Sequence, residues 1–369
     1  MNRRSKRVLL WALSVCPALV AALLFWGLRT APQLTETVFS RGVFRVISFP
    51  VQWLVSCVPW SLAETAAVLF IPLLCFGIVW VIRRWKRRKP SAASVERAAR
   101  RFVAIVSSLL LWYMLLHGVN YYRLPLDTLL EIETDASFTE EELQTVCMDL
   151  AKEATALRRT LSEDENGNAA FQKSLLETLK QADDGYRLLE STHPFLSGGV
   201  WRVKPVMLSH LWSYTGISGV YFPFFSEANV NVDMPAWTVP FTASHEVAHT
   251  CGIAREDECN FLAFLSCRTH PDALYRYSGA LTTYIYCANA LYENAPERWS
   301  EVRAQFSEEV LGDLRAHSEY WDQFRGKVQE VSSAANNAFI QSQGVEDGVL
   351  SYNRVVELVL KWYRAEGLI

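Results

Sequence analysis

Most short signatures of chemistry are missing from this 369-residue chain. It has no glycine-rich phosphate loop, and no Ser-His-Asp constellation stands out. It carries no internal repeat and no low-complexity tract, which sets aside solenoids and tethers. Strand signal is scarce and confined to the stretch from Ile217 to Val232. The eight cysteines build no compact framework: Cys16 and Cys75 lie in apolar runs, and the other six are scattered. That spacing argues against a disulfide scaffold. A net charge of −3 leaves no basic field for a nucleic acid. The one basic cluster, Arg83 to Lys89, is wedged between two apolar stretches, so we expect no nucleic-acid partner.

What is present begins with those stretches. Val8 to Leu28 is uncharged over about the 20 residues a helix needs to cross a bilayer, with Pro17 a candidate kink. A cleaved signal peptide would read similarly, but Thr65 to Ile82 and Phe102 to Val119 add two more spans and favour a multi-pass anchor. Arg3, Arg4, Lys6 and Arg7 and the basic cluster assign a side by the positive-inside rule. The expected order is a cytoplasmic N-terminus (1–7), a span (8–28), an extracytoplasmic loop (29–64), a span (65–82), a basic cytoplasmic loop (83–101), a span (102–119) and an extracytoplasmic domain (120–369). A cell membrane is the expected location. Residues 46–62, with Pro50, Pro59, Trp53 and Trp60, read as an interfacial element at headgroup depth.

The remaining ~250 residues suffice for one domain with its own core. The pattern predicts a helix from Phe138 to about Leu161, with Ser137 and Glu140 as a capping box. Further helices are expected over 169–189, over 302–340 as one long or broken run, and over 352–365. The fold class is mainly α. A small hairpin or edge strand (Val220 to Phe222 and Asn229 to Val232) comes just before the most informative motif.

That motif is His245-Glu246-Val247-Ala248-His249. On a helix the two histidines share a face and can grip one metal ion, while Glu246 can act as general base on a water that the metal activates. Pro240 suits the first turn of such a helix and Gly252 its end. A zinc site needs a third protein ligand, and Glu256, Asp257 and Glu258 follow closely. Glu256 is preferred because it opens a second helix folded back at Gly252. Asn260, one turn on, would steady a liganding imidazole. Asp257 is ascribed to the helix dipole and Glu258 is the reserve ligand. Cys251 and Cys259 flank the site and read as small buried hydrophobes. For a donor to the oxyanion we weigh Tyr352, Arg354, His270 and Tyr284. His193 and His210 read as ordinary hydrogen-bonded histidines.

HExxH followed by a helix bearing Glu-x-x-x-Asp resembles the gluzincin membrane proteases, the CAAX prenyl endopeptidase and heat-shock membrane protease group. The resemblance implies a zincin-like domain with His245, His249 and Glu256 as zinc ligands and Glu246 as base. Asn260 takes the place of the Asp, and the Glu follows the motif sooner than usual. The chain is more similar to an uncharacterised family of bacterial multi-pass membrane proteins that carries a domain of unknown function. The residues matching that pattern are Pro240 to Phe261, Gly219 to Pro223, Glu227 to Asn231 and Asp347 to Tyr352. Tyr352 and Arg354 are preferred as the second donor because their segment belongs to that resemblance.

Two functions are therefore expected of one Zn²⁺ per chain. The leading one is a membrane-anchored endopeptidase for cell-surface or membrane-adjacent polypeptides. The rival is a metal-stabilised module that binds or senses an envelope partner without catalysis.

Overall fold

The computed structural model describes residues 2–87, 89–132, 137–199, 202–343 and 354–369. The chain opens with α1 (Arg3–Arg29), a π-helical stretch over Thr35–Val43, α2 (Phe44–Ser56), α3 (Leu62–Arg87) and α4 (Ala92–Leu116). Among the described residues, α1, α3 and α4 are the helices long and apolar enough to cross a membrane, and they bury little of that apolar surface. They coincide with the three apolar runs, the last ending at Leu116. Asn2 Oδ1 accepts from Arg4 N and Ser5 N to start α1, and Ser91 Oγ accepts from Ser94 N to start α4. Arg7 pairs with Glu96, whose carboxylate also takes the Trp11 indole N–H at 3.2 Å. At the far end Phe25 meets Tyr122 edge-on. The helices α1 and α4 thus run parallel.

Helix α2 reverses the usual amphipathic arrangement. Phe44, Ser48, Gln52 and Val55 are buried against the domain, while Val46, Phe49, Trp53 and Leu54 face outward. Gln52 Nε2 donates to Ser226 Oγ and to Thr250 O, both at 3.0 Å. An inner face with two polar side chains among its buried residues and an apolar outer face suit a helix between protein and lipid.

The domain contains α5 (Glu140–Arg158), α6 (Leu175–Lys180), α7 (Asp184–Glu190), α8 (Val239–Thr250), α9 (Glu256–Thr269), α10 (Ala273–Asn294), α11 (Pro296–Arg303), α12 (Glu308–Asp322), α13 (Lys327–Ser342) and α14 (Arg354–Ala365). Leu150, Val247, Phe261 and Leu281 meet in one core joining α5, α8, α9 and α10. The sheet has three strands, β1 (Lys204–Val206), β2 (Gly219–Phe222) and β3 (Glu227–Asn231), in the order β1-β3-β2. β3 is buried throughout; β1 pairs with it in parallel and β2 antiparallel, with Val220 opposite Asn229.

This mainly α architecture, with apolar N-terminal helices and a small sheet before α8, is the one the sequence predicts. Its details differ in three places. The hairpin gains β1, too short to signal itself. The capping box is Thr139 and Glu142, because Thr139 directly precedes the three acids Glu140, Glu141 and Glu142 of the first turn. The helix expected over 169–189 is two short ones. Ala169 N is held by the Asp313 carboxylate, and a second capping box at Ser174 and Glu177 restarts the helix. The run over 302–340 takes the broken form, interrupted between Arg303 and Glu308 and again between Asp322 and Lys327.

Buried carboxylates that accept backbone N–H groups tie α3 to the domain. Glu227 accepts from Leu62 N and Ala63 N at the start of α3 and pairs with Lys204, so it is more than the turn residue its position suggests. Glu64 in turn accepts from Met207 N and Leu208 N.

Candidate metal centre and its cleft

Pro240 opens α8, where its missing N–H costs nothing, and Gly252 (φ +79°) closes it. A Cβ at Gly252 would also lie 2.7 Å from the Phe44 ring. The turn is braced from behind. Arg123 Nη1 donates to Gly252 O at 2.9 Å while its other nitrogens grip Glu36 at 2.7 and 2.9 Å, both side chains buried. The start of α9 is therefore pressed back onto α8.

The hairpin of α8 and α9 brings four of the expected residues together. His245 Nδ1 donates to Asn260 Oδ1 at 2.7 Å, and His249 Nδ1 donates to Ile253 O at 2.9 Å. Those bonds fix both tautomers and leave the Nε2 atoms pointing the other way. Both Nε2 atoms face the Glu256 carboxylate, at 3.1 and 3.7 Å. Burial alone would raise the Glu256 pKa, but the two imidazoles hold it well below the usual carboxylate range. Tyr221 stacks on the His249 ring, with centroids 5.5 Å apart, and its hydroxyl is anchored on Ser226 Oγ.

His245, His249 and Cys259 also have ligand atoms within 4.8 Å of one another, a group able to hold a metal ion. The two donor sets differ in which face of His249 they use. Cys259 Sγ sits 3.3 Å from Nδ1, the nitrogen committed to Ile253 O, and 3.5 Å from that same oxygen. Burial pushes its thiol up to about 12. Glu256 lies on the free Nε2 side of both rings.

Glu246 is buried, and its Oε2 has no hydrogen-bond partner among the described residues. Burial pushes its pKa up to about 7, against the opposing pull of His245 and His249. Its other oxygen lies under β2: a Cβ at Gly219 would collide with Oε1 and come within 2.8 Å of Thr242 Cγ2. The bare backbone at Gly219 is what lets the strand pass directly over this carboxylate.

Above these groups lies a cleft of about 630 Å³. β2 forms one wall, and α10, α12 and α13 contribute Tyr286, Trp321 and Phe339 to the others. Since Asn231 N donates to Ser218 O, alternation turns the N–H and C=O of Gly219 and Tyr221 away from β3. Among the described residues, β2 thus offers an unpaired edge.

The other expected residues that the structure describes lie elsewhere. Tyr352 falls outside the described residues. Arg354 stands 3.6 Å from Asp257 in a separate hollow with Asp127 and Lys361, not in the cleft wall. His270 stacks on Tyr275 and meets Gln181 O, while Tyr284 packs edge-on against Phe306. Glu258, the reserve ligand, is committed to Arg255 and Leu126 N. His210 pairs with Asp233.

Two residues passed over in the sequence do line the cleft. Tyr286 is two positions beyond Tyr284 and so emerges on the opposite face of α10. His117, just past α4, is buried among Tyr121, Tyr221 and His249, with its ring centroid 5.8 Å from that of His249. Only tertiary structure carries it there, since 128 residues separate it from the motif.

A model of the family described as "Protein of unknown function (DUF3810)" matches residues 39–360. The chain belongs to that family. The match takes in α3, α4, the whole sheet and the α8–α9 hairpin. No curated protein and no solved structure matches the chain. Kinship with a family of unknown function is thereby established, and any likeness to the gluzincin proteases rests on the site alone.

Proposed function

We propose that this protein is a membrane-anchored zinc endopeptidase with a gluzincin-like site, cleaving cell-surface or membrane-adjacent polypeptides. The observation that carries the proposal is the pairing of two features. Two imidazoles with fixed tautomers turn their Nε2 atoms to one carboxylate, and beside them a second carboxylate keeps a buried, unpartnered oxygen under an open strand edge. His245, His249 and Glu256 would hold the ion, with Asn260 orienting His245. Two nitrogens and one carboxylate match the donor set of catalytic zinc sites. Cys259 is set aside because it approaches the committed face of His249.

When bound, zinc supplies Lewis acidity, polarising the scissile carbonyl and making an attacking water acidic near neutral pH. Glu246 Oε2 takes the proton of that water, whose hydroxyl adds to the carbonyl carbon. Glu246 then passes the proton to the departing nitrogen as the C–N bond breaks. The buried Oε2, unpartnered among the described residues, is free to take part in both transfers. His117 and Tyr286 are the donors available to a carbonyl oxygen gaining charge.

The basic loop and the N-terminus are assigned to the cytoplasm and the cleft to the outer face of a bacterial cell membrane. The parallel course of α1 and α4 supports that assignment, since it sets both basic ends on one side.

The first test is metal content of the purified full chain, comparing wild type with His245→Ala and Glu256→Ala. About one zinc per chain, lost in both variants, is the expected result. Zinc that survives in both, or never binds, defeats the proposal. A zinc-loaded Glu246→Gln protein that hydrolyses a mixed peptide pool as fast as wild type defeats the catalytic part. A metal-stabilised binding module would then remain.

A further inference from the structure

The sheet touches membrane-length helices at both ends. At one, the turn after β2 meets α4, where the Trp112 indole N–H donates to Phe224 O at 3.0 Å. At the other, β1 ends at Val206 and the next two residues dock on α3. Glu64, in the first turn of α3, is buried and accepts from Met207 N at 2.9 Å and Leu208 N at 2.7 Å. The end of α2 gathers at the same strand. Lys204 Nζ donates to Val55 O at 3.0 Å, and Arg202 Nη1 to Ser56 O at 2.8 Å. Met207 and Leu208 therefore sit level with the start of a membrane-length helix and beside α2, whose outer face is apolar.

The side chains here are arranged as lipid requires, not water. A short helix, Ser209–Ser213, buries both of its serines. Ser209 Oγ donates to Val206 O and accepts from Val232 N, and Ser213 Oγ donates to Ser209 O. Outward, Met207 is 81% exposed, Leu208 43% and Leu211 61%. Spacings of three and four bring these three onto one face. With Met207 N and Leu208 N held by Glu64, and Trp212 N by Leu208 O, the tip shows apolar surface and keeps these donors paired. An apolar outer face over buried serines suits an element lying against a bilayer.

We propose that Met207, Leu208 and Leu211 insert into the bilayer surface beside α3, so that the partner of this face is lipid. The patch continues surface that α3 gives to lipid, where Val68 and Leu69 are exposed in the following turn. His210, on another side of the short helix, pairs with Asp233 and lies among headgroups, where charge is tolerated. The domain then stands on the bilayer at two points, this tip and the α4 contact, and does not swing from its helices. Nothing in this contact requires the cleft to be catalytic.

The test uses the full-length protein in phosphatidylcholine liposomes. The exposed cysteines are removed as Cys16→Ser, Cys57→Ser and Cys75→Ser, and one new cysteine carries an environment-sensitive fluorophore. Leu211→Cys is the probe, Leu69→Cys on α3 the lipid reference and Tyr292→Cys on α10 the water reference, all at exposed positions. A phospholipid with a spin label high on its acyl chain should dim the fluorophore at 211 and 69 about twofold and leave 292 unchanged, and aqueous iodide should do the reverse. Quenching at 211 by iodide and not by lipid, with 69 still dimmed by lipid, overturns the inference and leaves the spans in place. Iodide quenching at both 211 and 69 overturns the α3 span as well. Protection of 211 from both quenchers means that a second copy or another protein covers the face, and overturns the inference too. The unmodified chain gives a second reading. A phospholipid with a photoreactive diazirine on its acyl chain should label residues 207–214 about tenfold above residues 292–299. Equal labelling overturns the inference whatever the cysteine variants do.

Discussion

Two buried carboxylates in this domain make an instructive pair. Asp313 is fully buried, and each of its oxygens is occupied: Oδ2 accepts from Arg158 Nε and the Tyr277 hydroxyl, and Oδ1 from Ala169 N. Glu246 is almost as buried, yet one of its oxygens has no partner among the described residues. A paired buried charge holds structure together, whereas a buried carboxylate with a vacant oxygen costs stability unless something else uses it. The sequence marks Glu246 through its motif but gives no sign of how either carboxylate is partnered. The difference follows from what surrounds each residue.

The sharpest way to break that contrast is to remove one negative charge from each. Glu246→Gln should lower peptide hydrolysis by about 10²–10⁴-fold, the range for losing a general base, while zinc stoichiometry and thermal unfolding stay close to wild type. Asp313→Asn should do the reverse. Arg158 keeps Glu163 and Gly167 O but loses its buried carboxylate, a loss of about 1.5–3 kcal/mol in denaturant titration, with turnover per folded molecule unchanged. If Glu246→Gln destabilises the fold as much as Asp313→Asn does, both carboxylates are structural and the contrast collapses.

A finer test moves the functional carboxylate without deleting it. Gly219→Ala puts a methyl group where Glu246 Oε1 now sits, and Thr242 limits the space for escape. Displacing the base by about an ångström should reduce kcat roughly 10–100-fold. Zinc binding should not change, because the atoms nearest an added methyl belong to Glu246 and Thr242. Steady-state kinetics beside metal analysis separates the two effects, and a normal kcat would show that Glu246 tolerates the shift.

These contrasts explain which parts of the molecule could be read in advance. The helices, their three membrane-length members and the position of the small sheet follow from local pattern, which a single chain carries openly. The grouping of His245, His249, Glu256 and Asn260 was legible for the same reason, since two helices and one glycine turn contain all four. His117 and Tyr286 were not, because each reaches the cleft through tertiary packing. Tyr284 and Tyr286 are nearly interchangeable as letters, and only the rotation of α10 sends one into the core and the other into the cleft. Arg354 had chemistry suited to an oxyanion but stands beside Asp257, a carboxylate that sequence alone assigned to a helix dipole. Glu227 looked like a turn residue because the α3 N-terminus it caps is 164 and 165 positions away.

The smallest expected effect separates the two donor sets at the site. Glu256 and Cys259 follow the same turn, three residues apart, and both approach His249, but from opposite ring nitrogens. A metal cannot use Nδ1 unless His249 gives up its bond to Ile253 O, and that bond helps close the hairpin. With Glu256 as ligand, Cys259 is a small buried group, and Cys259→Ala should cost about 1 kcal/mol of stability and change zinc affinity by less than about threefold. With Cys259 as ligand, the same substitution would abolish tight binding and Glu256→Ala would be mild. Zinc titration of the two variants in competition with a chelator therefore gives opposite orders of affinity. The geometry predicts that only the Glu256 variant loses its metal, because only that side chain faces both uncommitted nitrogens.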